Sequence, residues 1–179
     1  MTDTRPRPAA IWLYAIAALG GAAGIFGAMY KEALAGPSMM LVVVLVGPAI
    51  EEVFKPIGVI FLLDKRPGWI RRPFEPILMA AIGAAVFATL ENVIYVTVYA
   101  DRASAGFVAY RFIVCTAMHI TASVVFGAGL AKMWRHIRRH GGHFDIDVCF
   151  RYYVVAVAIH AGYNALALTL EMTKVLRFE

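Results

Sequence analysis

The sequence has few charged residues, few cysteines and no short alternating strand pattern, and each shortage excludes a class of protein. Charged residues make up only 16% of the 179 residues, which leaves little chain for a water-soluble domain. The two cysteines, Cys115 and Cys149, fall within or beside apolar segments, so we predict free thiols and no disulfide framework. The lack of strand-like alternation argues against a membrane-spanning barrel.

Long apolar runs dominate the chain instead. Hydrophobic residues make up 61% of it, and the mean hydropathy is +0.70, as in an integral membrane protein. Backbone polar groups facing lipid must be hydrogen-bonded within their own segment, so such runs span as helices. The sequence therefore predicts an all-α fold, a polytopic membrane helical bundle. Residues 1–179 are expected to form one domain with about five transmembrane helices, at 9–30, 38–63, 74–99, 107–132 and 152–171.

Lysine and arginine lie mainly on one side of the predicted bundle. Eleven of them flank or connect the helices there: Arg5, Arg7, Lys65, Arg66, Arg71, Arg72, Lys132, Arg135, Arg138, Arg139 and Arg151. The opposite side carries Lys31, Arg102, Lys174 and Arg177. The positive-inside rule then predicts a cytoplasmic N-terminus and an extracytoplasmic C-terminus. The net charge of +5 is therefore mostly a topology signal, which favours contact with anionic lipid and not with nucleic acid.

The first apolar run is predicted to be a retained membrane anchor. Arg5 and Arg7 precede it as in a secretory signal, but it continues through Tyr30 and is longer than the apolar region of a signal peptide. Gly20 and Gly24 have the spacing of small residues that lets helices approach closely. We expect this helix to pack against a neighbour in the same chain.

Two adjacent carboxylates interrupt the second apolar run. Glu51 and Glu52 lie near the middle of the stretch from Pro37 to Leu63, one turn before Lys55. A charged residue at the centre of a spanning helix opposes insertion by roughly 2.5–3.5 kcal/mol on insertion scales, so the pair predicts a functional site.

The third to fifth predicted helices also carry polar residues into the membrane: Glu91, Asn92, Arg111, His119, His160 and Asn164. Residues four apart share a helical face, which groups Glu51 with Lys55 and His160 with Asn164. We expect four helices to bring these groups to one pocket.

Charge counting constrains that pocket. Three carboxylates, Glu51, Glu52 and Glu91, face two fixed cations, Lys55 and Arg111, which leaves one excess negative charge. A retained proton on a carboxyl group or a histidine would neutralise it. A divalent cation together with a hydroxide would do the same.

The series of motifs resembles the PrsW-type intramembrane proteases, within the wider superfamily of the CAAX proteases. The matching segments follow one another in the same order over helices 2 to 5: Glu51-Glu52-Val53-Phe54-Lys55, Phe87-Ala88-Thr89-Leu90-Glu91-Asn92, His119 and His160-Ala161-Gly162-Tyr163-Asn164. Glu91 stands where the wider group usually has histidine, which favours the PrsW branch over prenyl-protein processing. The resemblance implies an intramembrane endopeptidase of the bacterial inner (plasma) membrane. Its substrate would be a membrane-spanning protein such as an anti-sigma factor, cut on its extracytoplasmic side.

The residue chemistry suits amide hydrolysis. We assign Glu51 as the leading candidate for the general base, with Glu52 orienting or replacing it, and Asn164 as a donor to the oxyanion. Lys55 and Arg111 are expected to hold carboxylates in place. Glu91, His119 and His160 would form a set of three metal ligands. No compact His-Glu-x-x-His signature is present, so no cofactor is certain and one divalent metal such as zinc stays an open alternative.

Two rival functions use the same residues. A non-catalytic membrane scaffold of the same fold would retain them for binding, as in the presenilin-complex subunit that is similar to this superfamily. A proton or ion carrier would use a chain of Glu and His residues across the bilayer. The clustering of polar groups at one depth and the lack of an evident inverted repeat favour hydrolysis over transport. The sequence does not indicate an oligomeric state.

Overall fold

The computed structural model describes residues 8–33, 39–99 and 103–173, and all the regular elements within these ranges are helices. We number six helical segments, three of which contain a π-helical stretch. They are α1 (Ala10–Ala33), α2 (Met39–Leu41, π-helical Val42–Val46 and Gly47–Phe54), α3 (Ile57–Lys65), α4 (Glu75–Ile94, then π-helical Tyr95–Tyr99), α5 (Ala105–Ala109, π-helical Tyr110–Cys115 and Thr116–His140) and α6 (Ile146–Met172).

Four of these helices are long and apolar enough to cross a membrane, namely α1, α4, α5 and α6. The predicted all-α membrane bundle is therefore confirmed. The second predicted helix, 38–63, is not continuous, because the chain turns at Lys55 and Pro56 between α2 and α3. Proline has no backbone N–H and its ring clashes with the preceding helical turn. This break is buried in protein, as interrupted backbone at membrane depth must be.

Two helix ends lie farther into polar sequence than hydropathy predicts. Helix α5 continues to His140, whereas the apolar run in the sequence ends near residue 132. Helix α6 begins at Ile146, whereas its apolar run begins near residue 152. Hydropathy marks only the lipid-facing part of a helix, while backbone hydrogen bonds continue beyond it. Gly141 ends α5 with a φ of 75°, a left-handed conformation that glycine adopts without strain.

Helices α1, α4, α5 and α6 pack side by side in that order, and α2 bridges the two outer ones by contacting both α1 and α6. Only 17% of the residues of α6, Ile146–Met172, are buried. The helix that carries His160 and Asn164 is therefore held along a narrow face.

Both basic connections lie at one end of the bundle. The Trp134 indole N–H donates to the Pro67 carbonyl over 3.3 Å, and the Phe144 backbone N–H donates to Asp64 over 3.4 Å. Trp134 belongs to α5 and Asp64 to α3, so these contacts place the α3–α4 connection and the α5–α6 connection at the same end of the bundle. Arg5, Arg7, Arg102, Lys174 and Arg177 lie outside the described residues, as does the side chain of Lys31.

Close approach of α1 to α3 and α4 depends on glycine. A Cβ added to Gly20 would lie 2.6 Å from the Gly58 backbone nitrogen, and one added to Gly21 would overlap the Gly83 carbonyl. The expected packing of the first helix within the chain is therefore confirmed. A Cβ on Gly83 would also lie 2.5 Å from the Lys55 carbonyl oxygen, so this glycine contact supports the turn that ends α2.

Gly21→Val is expected to destabilise the protein strongly, because overpacking a close interface typically costs about 1–3 kcal/mol and here the obstacle is backbone. Gly162→Ala is the matched control, since a Cβ there meets no described residue within 4 Å and alanine favours the helix by about 0.8–1.0 kcal/mol over glycine. Thermal unfolding in detergent measures both. Equal midpoints for the two variants would contradict the packing shown here.

Candidate active site

Glu51 and Glu52 lie in the last turn of α2 and are almost completely buried, with 1% and 0% of their surfaces exposed. Adjacent residues on a helix face directions about 100° apart, so the two carboxylates have different surroundings. Glu51 lines a cavity, whereas Glu52 is absent from the cavity lining. The pair therefore divides into a carboxylate facing the cavity and one behind it.

Glu52 is held by three side chains from three helices. Its Oε1 lies 2.6 Å from Lys55 Nζ and 2.9 Å from His160 Nδ1. Its Oε2 accepts a 3.3 Å hydrogen bond from the Ser123 hydroxyl. Glu52 thus connects α2, α5 and α6 at the floor of the cavity.

Lys55 is completely buried, at the point where α2 ends. Besides the contact with Glu52, its Nζ lies 3.7 Å from Glu51 Oε2 and 5.0 Å from the centre of the Phe87 ring. A buried ammonium is tolerable only when paired, and two carboxylates and an aromatic face supply that pairing.

His160 contacts both glutamates through different ring nitrogens. Its Nδ1 is 2.9 Å from Glu52 and 3.3 Å from Lys55 Nζ, while its Nε2 is 3.7 Å from Glu51 Oε2. The shorter Nδ1 contact fits an N–H that donates to Glu52. In that tautomer, Nε2 carries a lone pair on the side of Glu51.

A second histidine is held in a similar way by a second ion pair. Glu91 Oε2 lies 3.0 Å from Arg111 and 3.1 Å from His119 Nε2. The Arg111 guanidinium also lies 3.8 Å from the centre of the Tyr95 ring. His119 Nδ1 is buried and has no hydrogen-bond partner among the residues that the structure describes.

Glu51, His119 and His160 each present one ligand atom, and these atoms lie within 4.8 Å of one another. The donor set fits a divalent metal ion, because Nδ1 of His119 lacks another partner and each histidine has its other nitrogen on a carboxylate. The sequence predicts Glu91 in place of Glu51 in this set. In the structure, Glu91 contacts His119 on the other ring nitrogen.

The cavity beside these residues has a volume of about 360 Å³, at the lower end of the range for ligand pockets. Of the predicted site residues, Glu51, Glu91, Arg111, His119, His160 and Asn164 line it, together with the aromatic residues Tyr95, Phe107, Tyr110 and Tyr163. Asn164 Nδ2 donates to the Val43 carbonyl over 3.0 Å and so joins α6 to α2.

Each π-helical stretch contributes to this cavity, through Val43, Tyr95 and the segment Tyr110–Cys115. Such turns are rare and are frequent at functional sites. Asn92 braces the third stretch by donating to the Arg111 carbonyl over 2.9 Å and to Thr116 over 3.0 Å. The sequence contains no clear signal for these turns.

Two features of the site are not predicted from the sequence. Ser123 is four residues after His119 and so lies on the same helical face, which is a signal that the sequence does contain. The Tyr163 hydroxyl donates to Tyr110 over 2.6 Å and lies 3.1 Å from Cys115 Sγ. Both cysteines are free thiols, as predicted.

Comparison with known proteins gives one match. The sequence model of a family described as PrsW family intramembrane metalloprotease matches residues 8–178. No curated protein and no solved structure matches the chain.

Proposed function

Because the chain belongs to the PrsW family of intramembrane metalloproteases, we propose that it hydrolyses a peptide bond of a membrane-spanning protein at the cavity described above. The observation that carries this proposal is the meeting of Glu51, His119 and His160 at the cavity wall, each within 4.8 Å of the others. An inert bundle does not require three buried titratable side chains around one space.

Glu51 is the carboxylate that contacts the reacting atoms. It lines the cavity, and its two oxygens provide several lone-pair sites, so it can accept a proton from water while it also contacts a cation. Glu52 acts through His160, because its oxygens are engaged by Lys55, His160 and Ser123 behind the cavity wall. We therefore assign Glu51 as the general base and Glu52 as the residue that positions His160, an assignment that the sequence leaves open.

Glu51, His119 and His160 would hold the metal ion. A divalent cation held by these residues would supply a Lewis acid for polarising the scissile carbonyl. Glu91 and Glu52 then orient the two imidazoles through their second nitrogens, which fixes the ring positions and raises their basicity as ligands.

The remaining polar residues bind and balance charge. Arg111 neutralises Glu91 and Lys55 neutralises Glu52, so Glu51 holds the excess negative charge of the pocket. Asn164 has two amide N–H groups, and only one is needed for its bond to Val43, so the other can donate to the oxyanion of the cleaved bond.

Orientation and substrate follow from the family and from the basic residues. With the basic connections in the cytoplasm, the C-terminal end of α6 and the mouth of the cavity lie on the extracytoplasmic side. The substrate would then be a protein with a transmembrane segment, of the anti-sigma-factor type, in a bacterial inner membrane.

His160→Ala is expected to remove the bound metal, whereas His136→Ala, on the exposed end of α5, leaves it in place. Protein purified without a polyhistidine tag and analysed by elemental mass spectrometry should contain about one ion per chain in the wild type, as in catalytic zinc sites. A metal content unchanged by His160→Ala would disprove the ligand set.

Hydrolysis is separated from the rival functions by reconstitution. Purified wild-type protein in liposomes should cleave a co-reconstituted single-span protein into two fragments. Partner binding without cleavage would indicate a scaffold, and proton flux without cleavage would indicate a carrier.

A further inference from the structure

The cavity continues from the proposed site along one face of α6. Five residues of that helix line it beyond His160, at positions 163, 164, 167, 168 and 171, and the last four share a face by their spacing. Eleven residues separate His160 from Glu171, a distance of about 16 Å along a helix. The cavity is therefore a cleft that leads from the proposed site to the end of α6.

The α6 wall of this cleft is apolar between Asn164 and Glu171, where Ala167 and Leu168 line it. The residues of the other helices that line the cleft are mixed, with apolar Val43 and Met118 beside polar Tyr110 and Arg111. A chain in extended conformation advances about 3.3 Å per residue, so about five residues of a substrate would cover the length of the cleft.

The cleft has one carboxylate at its mouth that the proposed chemistry does not use. Glu91 is paired with Arg111 and His119, and Glu51 belongs to the proposed ligand set. Glu171 lines the same cavity, is exposed, and contacts no cation among the residues that the structure describes. A negative charge at the mouth of a cleft favours a cationic residue on the segment that enters it.

We infer that the cleft binds an extended segment of the substrate and that Glu171 selects a lysine or arginine about five residues from the scissile bond. The residues between are small or apolar, to match the wall formed by Ala167 and Leu168. The distance of about five residues from the scissile bond rests on the proposed function. The preference for a cationic residue depends only on the cleft and on the charge of Glu171.

A lysine scan of a single-span peptide tests the register. Peptides with one lysine moved residue by residue through the segment on one side of the cleavage position are compared with the glutamine version. Cleavage by the wild type should be about two- to fivefold more efficient when lysine lies about five residues away, the size of an exposed charge pair. A flat scan with active enzyme overturns the inference and leaves the proposed function intact.

Two variants with the same change in charge identify the residue responsible. Glu171→Gln should remove the lysine preference, whereas Thr169→Lys should retain it, because Thr169 is exposed and does not line the cavity. Glu171→Lys should instead favour a peptide with glutamate at the selected position. A preference that survives Glu171→Gln overturns the assignment.

A binding assay keeps the outcome independent of catalysis. The lysine, glutamine and glutamate peptides carry a fluorophore, and their anisotropy is titrated with the Glu51→Gln variant, alone and combined with Glu171→Gln. Preferential binding of the lysine peptide that disappears in the double variant supports the inference even if no peptide is cleaved, in which case the proposed function alone fails. Equal affinity for the three peptides overturns the inference.

Discussion

Glu51→Gln is expected to lower cleavage of a transmembrane substrate by about 10²–10⁴-fold, the usual contribution of a positioned acid or base. The amide occupies nearly the same volume but neither accepts a proton readily nor contributes a negative charge to a metal ion. Because Glu51 faces the cavity, its neutralisation should leave the fold in place. Cleavage in liposomes and the thermal midpoint in detergent are measured on the same preparation.

Glu52→Gln is the matched comparison, since the same chemical change is made one residue away. For Glu52→Gln we expect the loss of stability to be the larger effect. The thermal midpoint falls because Lys55 keeps its charge and loses its closest carboxylate. Cleavage activity is expected to fall only to the extent that His160, which contacts Glu52, is displaced. If Glu52→Gln abolished cleavage at an unchanged midpoint while Glu51→Gln stayed active, the proposed order of the two glutamates would be wrong.

Lys55→Met is expected to produce the largest loss of stability of any single change in the site. Removing one partner of a buried ion pair costs about 3–5 kcal/mol, because the other charge is left without compensation. Lys55 Nζ lies within 4 Å of both Glu51 and Glu52, so its loss leaves two carboxylates side by side. The measurement is the thermal midpoint in detergent, with the yield of folded protein.

The double variant Lys55→Met, Glu52→Gln separates charge from packing. If the loss comes from an uncompensated carboxylate, neutralising Glu52 as well should restore part of the stability, which a double-mutant cycle reports as a positive coupling energy. A double variant no more stable than Lys55→Met alone would mean that the lysine acts by filling space beneath Phe87.

The helical membrane architecture was predictable because apolar length and the cost of exposed backbone in lipid leave few alternatives. Which polar residues were candidates for the site was also predictable from the sequence. Charged groups such as Glu51 and Glu91 are costly in a membrane-spanning helix, so each of them indicates a possible function. The sequence also predicted that Lys55 and Arg111 would contact carboxylates, and both do in the structure.

The finer geometry was not predictable, because it depends on tertiary packing. Hydropathy averages over about a full span, so it does not register the turn at Pro56 that ends α2 at Lys55. Nor does adjacency in sequence show that Glu51 faces the cavity while Glu52 lies behind it. The partner of each histidine nitrogen depends on side-chain directions in three separate helices.

The narrow contact face of α6 gives the surrounding lipid a part in the chemistry. His160 and Asn164 belong to a helix of which only 17% of the residues are buried, and α2 contacts this helix partly through the bond between Asn164 and Val43. We therefore expect changes in bilayer thickness or lateral pressure to alter the distances from His160 to Glu51 and His119. If the proposed site is correct, cleavage should vary with the acyl composition of the surrounding lipid.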